Sequence, residues 1–375
     1  MKIGLLGLGQ AGGKMVETIM KLTQENDQVE FIPFVVNLAK HDLDGLDLPL
    51  VNKLHILNPM GANGAGRNTQ VPYDSLTNPQ NQEKFFNKIE ELFGLNLDGN
   101  SEYQFKVQQL FVFLGSGGGT GNGFLQAILS TAFVTAMPHV SIVMATPRQI
   151  DSIEEKRNTA NLMRWLGQTT LDREIGSIFV INNDQFTKIK GEWMKEANQI
   201  FATRFINSFL RSAQNSIKSV DDADLLNVFR EQGYASIFMF TGQPDSALSA
   251  KLAKLNDYGI AIRSASTYVL MASGDQNVTQ YESSILSTIR SYSPESERLY
   301  IGFYPQEISI EDESICLISG MSEPQFLIDL VDEVNKSSDK PDITSKIRVS
   351  APTEQNPTST RKEPERRKFP GFAKR

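Results

Sequence analysis

The segment FVFLGSGGGTGNG, residues 111–123, constrains the fold more than any other stretch. An apolar run, Phe111 to Leu114, meets a segment in which six of the nine residues 115–123 are glycine. Ordering so many glycines is entropically costly. The sequence offers a compensation, because Phe124, Leu125 and Ile128 follow at helical spacing. Beyond the carboxyl end of a parallel strand, glycines let main-chain N–H groups approach an anion, and the following helix N-terminus adds positive partial charge. The segment therefore predicts strand, phosphate loop and helix rather than a mobile linker.

A second loop of this kind, GLGQAGGKM (7–15), follows the apolar KIGLLGLG and contains G-x-G-x-x-G through Gly7, Gly9 and Gly12. Alone it would suggest a nicotinamide-dependent oxidoreductase, which needs an acid about 20 residues on to hold a ribose. Asn37 ends the second strand instead, and neither loop has the G-K-[ST] of a P-loop NTPase. One nucleotide with several phosphates, gripped from several strand ends, explains two loops in one sheet better than a dinucleotide does.

The rest of the first half alternates: strands at 29–37, 110–114, 140–147 and 176–183 are separated by helical patterns at 14–22, about 80–93, after Gly123, and through ANLMRWL. Alternation predicts an α/β fold with a parallel sheet. From Glu192 to about Lys218 the chain has no Gly or Pro, and Trp193, Ala197, Ile200, Phe201, Phe205, Phe209 and Ile217 recur at helical spacing, which predicts a central helix, assigned to 191–218. The expected organisation is a nucleotide-binding domain at 1–190, the central helix at 191–218, a smaller α+β domain at 219–335 and a disordered tail at 336–375.

GGGTGNG (117–123) resembles the signature loop of the tubulin and FtsZ superfamily, and its neighbours stand in that family's order. GQAGGK (9–14) resembles the first phosphate loop, VVNLAK (35–40) the second, and GAGRN (64–68) the third, which senses the terminal phosphate. ATPRQIDSIEEKR (145–157) is similar to the ribose loop, INNDQF (181–186) to the base-contacting loop, KEANQIF (195–201) to the start of the central helix and SVDDADLLNVF (219–229) to the catalytic loop. The tubulin-like Gln10, the ribose loop with Glu154 and Arg157 three apart, and Asn122 favour resemblance to the plasmid and phage TubZ type, with an FtsZ-like cell-division filament as the alternative.

The resemblance implies GTP or GDP with Mg2+ as ligands. It implies a cradle from Gly9, Gln10, Ala11, Gly12, Lys14 and Asn37 in the first two loops, and Gly64, Ala65, Gly66, Arg67 and Asn68 in the third. Gly117, Gly118, Gly119, Thr120, Gly121 and Asn122 form the signature loop, with Gln10 near the metal ion. Pro147, Glu154 and Arg157 fall in the ribose loop, with Asp151 as a competitor for the acidic role, and Asn183 and Asn198 would read the base. Asp221 and Asp224 fall at the catalytic positions, acting on the nucleotide of the next subunit in a head-to-tail filament. The residues also allow one of Asp221, Asp222 and Asp224 to be simply a helix cap.

The net charge of −7 hides an asymmetry: residues 336–375 carry eleven Lys or Arg against five Asp or Glu. An acidic body with a basic tail is a partner signal. The end, RKEPERRKFPGFAKR, with Phe369 and Phe372 beside basic residues, reads as a docking peptide for DNA, for a DNA-bound adaptor or for a division-type adaptor. No apolar run is long enough for a bilayer, and glycines interrupt the N-terminal apolar stretch, so a cytoplasmic protein without membrane insertion is expected. Three histidines without ligand spacing and one cysteine, Cys316, leave little scope for a zinc site or an internal disulfide.

Overall fold

The computed structural model describes residues 1–23, 29–61, 63–97, 103–130, 140–169, 175–186, 192–274, 277–305 and 313–338. Its strands are β1 (Lys2–Leu8), β2 (Glu30–Asn37), β3 (Lys53–His55), β4 (Leu95–Leu97), β5 (Tyr103–Phe105), β6 (Gln109–Gly115), β7 (Val140–Thr146), β8 (Ile175–Asn182), β9 (Gly233–Thr241), β10 (Thr267–Gly274), β11 (Arg298–Pro305) and β12 (Glu313–Met321). Ten of them form one sheet in the order β11-β10-β12-β9-β8-β7-β6-β1-β2-β3, and β4 and β5 make a separate hairpin. From β3 through β1 and β6 to β9 every neighbouring pair is parallel. Only β12, between β9 and β10, runs antiparallel to its neighbours.

Parallel strands must be covered on both faces, and the chain supplies the cover. Ile3, Leu5, Phe111, Phe113 and Phe179 point to one face, and Leu6, Leu8, Val112, Leu114 and Ile142 to the other. Pro33 is accommodated inside β2 because β3 pairs only with Val35–Asn37. At Pro33 the outer side is free of backbone partners, and the Asn52 Nδ2 donates to its carbonyl there.

The central helix runs Trp193–Ser212. This is shorter than the expected 191–218: the helix is capped at Ala213, and Lys218 pairs instead with Phe303 on the edge strand β11. Phe201, Phe205 and Phe209 recur every four residues and so share one face. Phe205 meets Phe111 edge-on at 4.8 Å, and Phe209 meets Phe31 at 5.6 Å and Phe229 at 5.3 Å. Phe31 is the second residue of β2, so the helix ends at the amino edge of the sheet. Twenty residues carry the chain about 30 Å.

The second half is tied to the first more closely than separate domains would be. Helix Gln325–Ser338 leaves β12 and returns to pack on helix Ile153–Thr169, with Leu327 fully buried in the first half's core. The nearly buried Lys156 reaches Glu333 at 2.7 Å. The basic tail beyond residue 338 lies outside the described residues. Among the described residues no helix is long and apolar enough to cross a membrane, and no group of three His, Cys, Asp or Glu is placed to hold a metal ion.

Cys316 lies wholly buried in β12, and burial pushes its thiol above the usual range. A thiolate-directed reagent is therefore expected to leave the folded protein unlabelled and to react once denaturant unfolds it. Rapid labelling without denaturant would contradict this packing.

Candidate nucleotide site and acid loop

The sheet order reverses between β1 and β6, and both glycine loops leave the carboxyl edge there, at the position where open parallel sheets bind ligands. The loops are tighter than the sequence suggested. Helix Gly9–Leu22 begins at Gly9 rather than near Lys14, and helix Gly119–Leu129 at Gly119 rather than after Gly123. Glycine makes these early starts possible by close approach. A Cβ on Gly12 would stand 2.0 Å from the Phe113 carbonyl oxygen, and one on Gly119 2.7 Å from the Arg67 backbone. The loops touch each other, since a Cβ on Gly9 would lie 3.1 Å from the Gly121 nitrogen.

Neither helix start has a side-chain cap. The first amides of both, including those of Gln10, Ala11, Thr120 and Gly121, face a common shelf with the partial charge of two helix ends behind it. Gln10, Ala11 and Gly118 are exposed there, and Gly118 would hold a Cβ without conflict, 3.6 Å from the Gly115 oxygen, so its outer side is open.

The third loop closes over this shelf. Gly64 and Gly66 adopt positive φ, and Arg67 does so too at 64°, the single non-glycine case among the described residues. Such a conformation costs a side-chain-bearing residue of order 1 kcal/mol and persists only where its surroundings enforce it. They do so here. The Arg67 carbonyl accepts from Asn158 Nδ2 at 2.8 Å, and its guanidinium meets Glu155 at 3.1 Å, Ser152 Oγ at 3.2 Å and Glu154 at 3.9 Å. Asn158 also donates to the Gly117 carbonyl, joining third loop to signature loop. Sequence reading missed Asn158 and Glu155. Asn158 stands three residues after Glu155 and four after Glu154, spacings that bring side chains together on one helix face, which was the available signal.

Several expected ligand residues have other partners. Asn122 is fully buried; its Nδ2 donates to the Ser116 and Asn158 carbonyls and its Oδ1 accepts from Gln126, so only its main chain faces the shelf. The Asn37 side chain is likewise buried, accepting from the Ala39 amide and donating to Asp42, which folds the second loop on itself. Lys14 is held by Glu17 and the Gly45 carbonyl. Glu154 turns toward Arg67 while Arg157 is exposed, so the two are not brought together as a ribose clamp. The competing Asp151 chelates Arg148, whose guanidinium lies 4.3 Å over the Trp193 ring, and Asp184 accepts from the Gln149 amide. Asn183 and Asn198, both half-buried, lie just beyond β8 and one turn into the central helix. One cleft of about 650 Å3 lies between the central helix and the second half, beside Arg204 and Glu313, and another of about 590 Å3 is lined by Asn182, Asp184 and Phe186 of the base loop and by Phe201. The glycine shelf itself is open to solvent.

The acid loop follows the central helix and lies against the edge strand β11. Asp221 caps helix Asp222–Arg230: its Oδ1 accepts from the Asp224 amide at 2.8 Å, and Asp224 Oδ2 accepts in return from the Asp221 amide. Capping thus claims one oxygen of each acid; the other has no hydrogen-bond partner among the described residues. The far end of this helix rests on the amino edge of the sheet, where Ser141 at the start of β7 and Ser177 at the start of β8 donate to the Phe229 and Val228 carbonyls. Burial, with the neighbouring Asp221 charge, raises the Asp224 carboxyl above its ordinary range despite the hydrogen bond from the Asp221 backbone.

The half of the chain that carries this parallel sheet and its two uncapped glycine helices is matched by the model of the Tubulin/FtsZ family. That family's GTPase domain matches residues 2–191, and the chain belongs to it. Among individual relatives, the tubulin-like protein CetZ2 of Haloferax volcanii is 25% identical over 248 residues, 63% of this chain and 62% of its own length. The tubulin-like protein TubZ of Bacillus thuringiensis subsp. israelensis is 28% identical over 148 residues, 38% of this chain and 30% of its own. The sequence matches thus span less than two thirds of either relative. A GTPγS-form protofilament structure of the Bacillus TubZ shares the fold, with a TM-score of 0.77 at 19% identity over 91% of this chain and 93% of that one.

Proposed function

We propose that this chain is a GTPase that polymerises head to tail, each molecule's acid loop completing the nucleotide site of the next. The observation that carries the reading is the division of the chemistry. The amide shelf lies where β1 and β6 end, whereas the acid loop lies against the edge strand β11, six strands along from β6, and a central helix of about 30 Å runs between them. One molecule cannot close its own site. A heterologous contact repeated without closure gives a filament. Exposed apolar side chains flank both halves: Leu57 and Met60 before the third loop, Ile150 in the ribose loop, and Ile217 beside the acid loop.

In this site the shelf amides hold the phosphates and orient the terminal one outward, toward the neighbour. Asp221 and Asp224 of that neighbour then align a water and accept its proton as its oxygen bonds to the terminal phosphorus and the bond to the bridging oxygen breaks. Phosphoryl transfer asks mainly for such positioning and charge control. Mg2+ would neutralise phosphate charge; the exposed Gln10 offers it one neutral amide oxygen, and among the described residues no group of three His, Cys, Asp or Glu is placed to hold it, so the phosphates would be its chief ligands. Gly9, Ala11 and Gly12 with 117–121 would serve through the main chain, and Asn183 and Asn198 would read guanine by paired donor and acceptor contacts.

Arg67 is the third-loop group placed to distinguish GTP from GDP. Arg67→Ala is expected to weaken GTP about tenfold while leaving GDP affinity within about twofold, the size of one charge-assisted contact, as read by fluorescent-nucleotide competition. Equal losses for both nucleotides would remove Arg67 from the terminal-phosphate role.

The cellular role proposed is moving or positioning plasmid or phage DNA, with the basic tail docking to DNA or a DNA-bound adaptor; the tubulin-like first loop and the charge of residues 336–375 support it. Pelleting and electron microscopy with GTP, with a slowly hydrolysed analogue, and with DNA test the whole reading. Protein that remains monomeric with GTP at tens of micromolar would defeat it.

A further inference from the structure

The acid loop is not held by its own helix alone. Residues 217–220 run antiparallel to the edge strand β11: the Ile217 amide donates to the Phe303 carbonyl and the Phe303 amide to the Lys218 carbonyl, each at 2.8 Å. Three residues beyond Ile217 the Val220 amide donates not to a strand carbonyl but to the hydroxyl of Tyr304, at 3.0 Å. Val220 and Tyr304 are both buried, so water is a poor substitute at this point. A buried donor left unpaired carries a real penalty. Gly302 keeps the fit tight, since a Cβ there would lie 2.7 Å from the Tyr304 ring and 3.0 Å from the Lys218 oxygen.

We infer that Tyr304 is a positioning residue for hydrolysis, its hydroxyl pinning the peptide that leads into Asp221 and so fixing where the Asp221–Asp224 pair points across the subunit contact. The inference rests on the reading of the acid loop given above. Val220 immediately precedes Asp221, whose own amide and carboxylate are locked to Asp224. Register lost at Val220 is therefore transmitted to both acids as a unit. A misplacement of about 1 Å in a group aligning a nucleophile can cost on the order of a hundredfold in rate.

Tyr304→Phe keeps the ring and deletes the hydroxyl. The matched comparison is Tyr300→Phe on the same strand, which removes the hydroxyl that accepts from Asn227 in the middle of helix Asp222–Arg230. In filaments of the full-length protein, Tyr304→Phe is expected to lower kcat for GTP at least tenfold. KM, nucleotide affinity and the pelleted fraction should stay within about twofold, and Tyr300→Phe should remain near wild type. Amide hydrogen exchange of residues 217–224 should quicken about tenfold in Tyr304→Phe, with exchange in 9–14 and 117–123 unchanged. Unchanged exchange at 217–224 overturns the inference. So does quickened exchange with wild-type kcat while Asp224→Ala stops hydrolysis, and so does an equal loss of kcat in both tyrosine variants. If Asp224→Ala itself hydrolyses normally, the catalytic reading of the loop falls instead, and the exchange measurement still decides whether Tyr304 holds it.

Discussion

Asp224→Ala is expected to reduce GTP hydrolysis in assembled protein by roughly a hundredfold or more, the usual worth of a positioned acid–base group, while filaments form with GTP and persist longer. The persistence follows because the shelf that holds the nucleotide belongs to the other molecule. Asp224 is the cleaner of the two acids to remove. Asp221 is the primary cap of helix Asp222–Arg230, and its loss would cost about 1 kcal/mol of stability as well. Mixing sharpens the test: an Asp224→Ala subunit still binds GTP, and its nucleotide should be hydrolysed when a wild-type acid loop follows it. Phosphate release at the wild-type rate from pure Asp224→Ala filaments would sink the assignment.

The same carboxyl sets a pH dependence. Desolvation and the adjacent Asp221 charge raise Asp224 above the usual carboxylate range. The ionised form is the one that accepts a proton from water, so hydrolysis is present above that raised value and falls as pH drops through it. The acid limb should therefore lie higher than an ordinary aspartate would place it, and Asp224→Ala should lose that limb in its residual rate. The linkage to folding has the opposite sign: raised in the folded state, this carboxyl favours the fold when protonated and detracts from it as pH rises.

Gly12→Ala is expected to do the greatest harm to the fold. The new methyl would lie 2.0 Å from the Phe113 carbonyl oxygen and 3.2 Å from the Gly7 carbonyl carbon, so backbone on two strands would have to move. No rotamer change relieves a clash with main chain. A cost of about 3 kcal/mol or more is the upper range for overpacking, and the first helix would be lifted from β6, widening the shelf. The expected result is a clearly lowered urea midpoint together with lost nucleotide binding. A variant that keeps its midpoint and binds GTP normally would show that the close packing of the first loop on β6 is not needed.

The apolar runs at 3–8, 110–114 and 140–146 announce buried parallel strands because both of their faces need cover, and the glycines after two of them announce the shelf because few other reasons justify that entropy cost. The acids at 221 and 224 are legible as a pair; the structure shows them as a capping box, which uses one oxygen of each and leaves the other for the role proposed above. Less visible were β3, with three paired residues, and helix Gln70–Thr77, which packs on the second glycine helix; short polar elements draw stability from tertiary contacts rather than from periodicity.

Side-chain direction was the other blind spot. Asn37, Asn122 and Lys14 have the right chemistry at the right places in the chain, yet the structure turns each toward a backbone or carboxylate partner. What the sequence determined by itself was a parallel sheet, two glycine loops leading into helices and an acid loop, because strand periodicity and glycine spacing are local properties. Only the tertiary structure decided that the central helix ends at Ser212, that Asn158 and Arg67 close the third loop, that the last helix returns to the first half, and that the acid loop lies against the edge strand β11, away from the shelf. Those outcomes depend on which surfaces meet after collapse, and contacts between residues tens or hundreds of positions apart leave no period in the chain to read.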